Sequence, residues 1–412
     1  MLRSWLLFIF GARVNKAGSE NRWLIVHLEG LGDVVMLTSV LKHYKKDFPD
    51  KKIYFLVNGF KGLNTSVFAP MVDELITVDH GRLAKNPWYG MKFVNQLRMI
   101  GFERVVSHDP GISELSGKLV ALSVGAKETI GYEGTYIQKR LPLDINMALS
   151  VRYAEKNLFP RFNKIIPSFD KNIDLKKRIP NNIKHYISVY EAVTGKTHDD
   201  YSITLPVIPE AEEKVSAILL DGGIVPGTYC FLNLATSTPH KEWKAEHFAE
   251  ALLAIRQFKI PIVVGGGKRD AELVARFRKV YGNDLLDVTG KTGVGEYFAL
   301  VRNSLFSLCN DTATTHIAIA YKKPVITILG LAHFATCSLY GYKDINRWAY
   351  ARNMDCLCDN WRCMFTVGPD EPTPCIAAIQ VPEVVRELTS LIEYLKAMPN
   401  YPREPFRVEI NE

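Results

Sequence analysis

Three stretches of this chain hold residue types that can bind or activate a charged group. The first is Glu29-Gly30-Leu31-Gly32-Asp33, between the apolar run Trp23–Leu28 and a segment with Val34, Leu37, Val40, Leu41 and Tyr44 at helical spacing. Strand, glycine turn and helix in that order open a doubly wound α/β domain. Asp33 then lies at a strand's carboxyl end, where such sheets bind ligands. A carboxylate there can take a proton from a hydroxyl, or it can simply cap the helix; Glu29 is the reserve carboxylate. The glycines do not make the dinucleotide fingerprint, because no third one follows at the required place.

The second stretch runs from Asn310 to Gly330. Ser304–Cys309 before it and Pro324–Leu329 inside it read as buried strands, and His316–Ala320 between them is short, apolar and helix-compatible. Asp311, Thr312, Ala313, Thr314 and Thr315 stand at the mouth of that helix. Unpaired backbone N–H groups at a helix start make a seat for an anion such as phosphate. Asp311 or Thr312 as a plain cap is the competing explanation. The third stretch is the polar loop Thr236–Lys241 after the strand Thr228–Ala235; its Lys241 can reach a phosphate or remain a solvated surface lysine.

The segments around these stretches alternate between strand and helix. Lys52–Val57, Leu75–Val78, Arg104–His108 and Thr129–Gly134 read as strands or strand-and-turn pieces. Trp88–Ile100, Ser113–Val124 and His185–Gly195 read as helices, and Leu141–Asp200 as a mainly helical, charged region. Pro261–Asp270 is a strand running into three glycines, of which Gly265 and Gly266 let backbone approach a ligand. Asp287–Val301 supplies another turn, with Lys291, and a helix. The composition shift at Pro206–Gly227, with a Pro-Glu turn, an acidic helix and GGIVPG, marks a linker. The expected organisation is therefore a segment 1–20, a first domain 21–205, the linker 206–227, a second domain 228–380, an amphipathic helix 381–398 and a proline-containing tail 399–412.

The 412 residues suffice for two or three domains. A net charge of +7 suits anionic small molecules or an anionic membrane surface and is too dispersed for nucleic acid. No run of eighteen apolar residues spans a bilayer. At the start, Trp5–Phe10 is flanked by Arg3, Arg13 and Lys16; an uncleaved cytoplasmic segment with peripheral membrane contact fits it better than a signal peptide. Seven cysteines at irregular spacing do not form a secreted disulfide framework.

Glu29-Gly30-Leu31-Gly32-Asp33 with Leu37-Thr38, then Lys241-x-Trp243, Thr289-Gly290-Lys291, and Asn310-Asp311-Thr312-x-x-x-His316 with Lys323-Pro324 together resemble glycosyltransferase family 9, the ADP-heptose:lipopolysaccharide heptosyltransferases. The resemblance implies a GT-B architecture, with two Rossmann-like domains facing a central cleft and the terminal helix 381–398 crossing back to the first domain. It also implies inverting, metal-independent transfer of a sugar, heptose among the candidates, from a nucleotide diphosphate to a lipopolysaccharide or other glycan. It makes Asp33 the general base and Lys241 the neutraliser of the diphosphate, and it puts Asp311, Thr312 and His316 in the donor motif. Thr236, Gly265, Gly266, Lys291 and Ala313 complete the donor side; Gly30, Gly32, His108 and Asp109 are the acceptor-cleft candidates. Two positions depart from the family: Ala313 replaces its usual glycine, and His108-Asp109-Pro110 stands where a glutamine–glycine pair is common.

Cys356, Cys358, Cys363 and Cys375 could hold a structural zinc or iron, although Cys-x-Cys is tighter than the usual zinc spacing and the family carries a comparable cysteine group. Two other classes remain open: a GT-B-like nucleotide-sugar epimerase and a non-catalytic nucleotide- or glycan-binding relative.

Overall fold

The computed structural model describes residues 20–59, 65–108, 117, 120, 121, 123–133, 164–167, 181–331, 340–354, 365 and 367–398. The segment 1–19, Asp109, Cys356, Cys358, Cys363 and the tail 399–412 lie outside them. Two compact units result; the second comprises, apart from a few residues before Asn182, the chain from Ser202 onward.

The first unit begins with β1 (Arg22–His27), whose residues 23–27 are all buried, and α1 (Leu31–Asp47). Then come β2 (Lys52–Asn58), β3 (Glu74–Val78), α2 (Pro87–Ile100), β4 (Arg104–Ser107), β5 (Glu128–Glu133), β6 (Lys164–Pro167) and α3 (Asn182–Thr194). The sheet order is β3-β2-β1-β4-β5-β6, with every ladder parallel. Strands covered on both faces need unbroken apolar runs, and Trp23–Val26 and Ile53–Val57 supply them. β6 lies within the stretch expected to be mainly helical. At four residues it is too short to show a period-2 pattern, and its pairing with β5 creates it.

The second unit contains α4 (Pro209–Asp221), β7 (Cys230–Asn233), α5 (Ala245–Ala254), β8 (Ile262–Val264), α6 (Ala271–Tyr281) and β9 (Leu286–Asp287). It continues with α7 (Val294–Arg302), β10 (Phe306–Asn310), α8 (Ala313–Ala320), β11 (Val325–Ile328), β12 (Asn346–Ala349) and α9 (Val381–Ala397). Its sheet order is β12-β11-β10-β7-β8-β9, again all parallel. Taken in chain order within each unit, both sheets run 3-2-1-4-5-6, the order of a dinucleotide-type doubly wound fold.

The stretch expected to be a linker carries α4, which is joined to α7 by Lys214–Glu296 at 3.1 Å and Arg302–Glu212 at 3.2 Å. The terminal helix α9, expected to cross back to the first domain, uses its apolar face within its own unit. Val384, Leu388, Leu391, Ile392 and Leu395 share one core with Phe248 and Leu252 of α5 and with Ala349 of β12. Complete burial of side chains of this size stabilises by about 1.5–3 kcal/mol each.

In the first unit, α1 is anchored at its far end by a polar aromatic clamp. Tyr190 of α3 donates to Asp47, and His198 Nε2 lies 2.7 Å from Asp47 Oδ2. The His43 ring stacks on His198 at 3.8 Å. Burial alone would raise Asp47; the bonds from Tyr190 and His198 outweigh it and hold the carboxyl below its ordinary range. His108 is fully enclosed, 2.9 Å from the Tyr44 hydroxyl, and burial followed by the charges of His27 and His185 pushes it well below the usual imidazole value. Burial also lowers His43.

A histidine whose folded-state pKa is depressed binds its proton more readily when unfolded. Its stabilisation is therefore complete above about pH 6.5 and is lost as pH falls below that value. Urea unfolding of the full chain should show lower stability at pH 5 than at pH 7.5. His108→Gln should make that dependence shallower.

Candidate functional site

The carboxyl ends of β7 and β10 are adjacent strands at which the order of the second sheet reverses. Crossovers leave on opposite faces there and open a crevice. The sequence places an asparagine at the end of each strand, and both are buried. Asn310 donates from Nδ2 to Leu234 O at 2.7 Å and accepts at Oδ1 from Trp243 N at 3.0 Å. Trp243 is itself buried and donates from Nε1 to Ile379 O at 3.0 Å. The loop carrying Lys241 is therefore fixed just before Trp243, and Lys241 Nζ comes 3.2 Å from Asp311 Oδ2. The Asp311 side chain is only 4% exposed and that of Lys241 16%; such a pair holds its geometry because breaking it would strand a buried carboxylate.

Asn233 continues the network. Its Nδ2 donates to Gly265 O at 3.2 Å, and its Oδ1 accepts from Thr312 Oγ1 at 3.2 Å. Thr314 Oγ1 lies 3.3 Å from Thr312 Oγ1 and 2.6 Å from the Tyr297 hydroxyl. Thr312 is the N-cap residue of α8, yet its side chain makes no capping hydrogen bond. Thr312 therefore does not fill the capping role that was the alternative explanation, and Asp311 is turned to Lys241. Ala313 is the first residue of α8, and its φ is not positive. A Cβ there brings no backbone strain, so the departure from the family's glycine is tolerated locally.

The other donor-side residues fall into two groups. Gly265, Gly266 and the turn holding Lys291 lie together at the ends of β8 and β9, where Gly290 N donates to Gly266 O at 2.9 Å. The protein's own atoms occupy the space beside the two glycines. A Cβ on Gly265 would come 2.5 Å from the Phe231 ring, and one on Gly266 2.6 Å from Asp270 Oδ2. Close internal packing accounts for both glycines. Lys291 is exposed and donates to Asp287 O at 2.7 Å. Thr236 closes a local turn, accepting from Thr238 N at 3.2 Å. His316 stands apart: buried, bonded through Nδ1 to the Tyr340 hydroxyl and stacked on that ring.

Beside Lys241, burial raises Glu242 above the carboxylate range, with Arg276 opposing. Asn233 and Tyr297 were absent from the sequence-derived set, and Asn310 entered it only as the first residue of a motif. The available signal for the two asparagines was a lone asparagine ending each apolar strand, in Phe231-Leu232-Asn233 and Leu308-Cys309-Asn310.

In the first unit Asp33 is the third residue of α1 and sits in its first turn. Gly30 is the N-cap and makes no side-chain cap bond, and Asp33 Oδ1 accepts from Asn182 Nδ2 at 3.3 Å. A Cβ on Gly30 would stand 3.2 Å from Asp33 Oδ2. Gly30 thus leaves room beside a half-buried carboxylate at the strand ends. His108 was expected to line an acceptor cleft. Instead it is enclosed in the core against Tyr44 and offers no surface.

Among the described residues no cluster of three or more His, Cys, Asp or Glu could hold a metal. Cys375, the one described member of the cysteine group, is buried 3.2 Å from Thr373 Oγ1. Among the described residues no helix is long and apolar enough to cross a membrane.

Comparison with known proteins gives a consistent result. The family model described as glycosyltransferase family 9 (heptosyltransferase) matches residues 162–364. The lipopolysaccharide core heptosyltransferase OpsX of Haemophilus influenzae is 21% identical over 335 residues, 80% of this chain and 82% of that protein. A solved glycosyl transferase family 9 protein from Veillonella parvula superposes with a TM-score of 0.68 at 17% identity, covering 92% of this chain and 100% of the other. The E. coli ADP-heptose lps heptosyltransferase II superposes at 0.58 and 16% identity, covering 91% and 99%. These superpositions establish the two-domain GT-B fold.

The Asn310 network yields a test. Asn310→Ala removes the partners of Leu234 O and Trp243 N inside a buried region, at about 1–3 kcal/mol for each orphaned group. Denaturant unfolding should show a loss of about 2–6 kcal/mol.

Proposed function

Because the chain belongs to glycosyltransferase family 9, we propose that this glycosyltransferase moves heptose from ADP-heptose to a lipopolysaccharide-type acceptor with inversion at the anomeric carbon. One observation carries the proposal. At the reversal point of the second sheet, Lys241 is pinned 3.2 Å from Asp311 beside the start of α8, whose N-cap side chain makes no capping bond. An ammonium and a row of helix N–H groups in one place suit a diphosphate.

In the proposed step an acceptor hydroxyl attacks the anomeric carbon and its proton passes to Asp33. The bond from that carbon to the diphosphate oxygen breaks, and ADP leaves with the electron pair. The developing charge on the leaving group is met by Lys241 and the amides opening α8, so the step needs no metal ion. A base in hydrogen-bond reach contributes on the order of 10²–10⁴ in rate, and a preorganised donor on the order of 10²–10³. We also assign Trp5–Phe10, with Arg3, Arg13 and Lys16 around it, to contact with the inner membrane face that presents such acceptors.

The test combines binding and turnover. ADP and ADP-heptose should raise the melting temperature more than UDP or UDP-sugars do. With heptose-deficient lipopolysaccharide as acceptor, Asp33→Asn should lower kcat by about 10²–10⁴ while leaving the ADP-induced shift intact. Lys241→Ala should lower kcat by about 10²–10³ and weaken that shift. Wild-type transfer rates in Asp33→Asn would remove the base from the scheme.

A further inference from the structure

We propose that Asn182 is the positioning residue for the base, an inference that rests on the assignment of Asp33 given above. Asn182 opens α3, and its side-chain amide donates from Nδ2 to Asp33 Oδ1 at 3.3 Å. The two residues are 149 positions apart, so the contact exists only because α3 packs along α1. That packing is fixed at the opposite end of α1 by Tyr190 and His198 on Asp47.

The two carboxylate oxygens of Asp33 have different surroundings. Oδ1 takes the Asn182 amide. Oδ2 faces the bare Cα of Gly30, where a Cβ would approach to 3.2 Å. The glycine keeps that side open, and the amide holds the carboxyl plane so that Oδ2 is the oxygen presented to an incoming hydroxyl. Asn182 restricts the rotation of the Asp33 side chain, so the oxygen is in place before the acceptor arrives.

The experiment compares kcat and KM of the full-length wild type with Asn182→Ala, Asn182→Gln and Asp33→Asn, using ADP-heptose and heptose-deficient lipopolysaccharide. In Asn182→Ala kcat should fall about three- to tenfold, with both KM values within about twofold of wild type. Asn182→Gln keeps an amide donor and should recover part of the lost kcat. It also keeps the test decisive if the alanine variant folds poorly. Melting temperature and the ADP-induced shift serve as controls for a purely structural effect.

A wild-type kcat in Asn182→Ala, or a loss in Asn182→Gln as large as in the alanine variant, overturns the assignment. Full activity in Asp33→Asn instead overturns the proposed base, so the two failures are told apart.

Discussion

Strand order is the constraint on which the rest depends. In each sheet the chain adds strands outward in one direction, returns, and adds the remainder on the other side. The pairs β1/β4 and β7/β10 therefore carry crossovers that leave on opposite faces. Backbone at those strand ends is not covered by a crossing helix, and the side chains that follow must satisfy it. In the second unit Asn233 and Asn310 do this, each bonding neighbouring backbone with one end of its amide and receiving a donor at the other. The loops that present Lys241 and Thr312 are held by these two amides.

This arrangement explains how a charged pair is tolerated in a largely buried place. Removing a carboxylate from water is costly unless a partner and further hydrogen bonds replace the solvent. Asp311 has Lys241 at 3.2 Å, and Lys241 is held near it by the Trp243 anchor two residues later. The pair is thus a consequence of the fixed loop. In the proposed function its use to an anionic ligand rests on the ammonium beside the start of α8.

Much of this was legible in the chain. Glu29–Asp33 and Asn310–His316 stood out because a short apolar run, a polar turn and a helix-compatible segment follow one another, and the observed β1–α1 and β10–α8 boundaries lie within a few residues of the expected ones. The four-residue strands β6 and β12 escaped notice because they have no internal period; pairing with a neighbour defines them. His108 was misplaced because a histidine ending a strand looks the same in sequence whether it faces solvent or a tyrosine. The Gly265–Gly266 pair suggested ligand approach; Phe231 and Asp270 stand where a Cβ would go, and Phe231 is too far off in sequence for that packing to be read locally. The Asn182–Asp33 contact is a product of tertiary packing and has no local signature.

The two aspartates at the two reversal points illustrate how environment assigns different work to one residue type. Asp311 is nearly sealed and faces a cation, so a proton on its carboxyl would cancel an ion pair in a place where water cannot compensate. Its service is to fix Lys241. Asp33 is half-buried, is bonded by a neutral amide, and has one oxygen beside a residue without a side chain. Under the proposed function, the carboxylate paired with a cation anchors a loop and the one bonded by a neutral amide serves as the base.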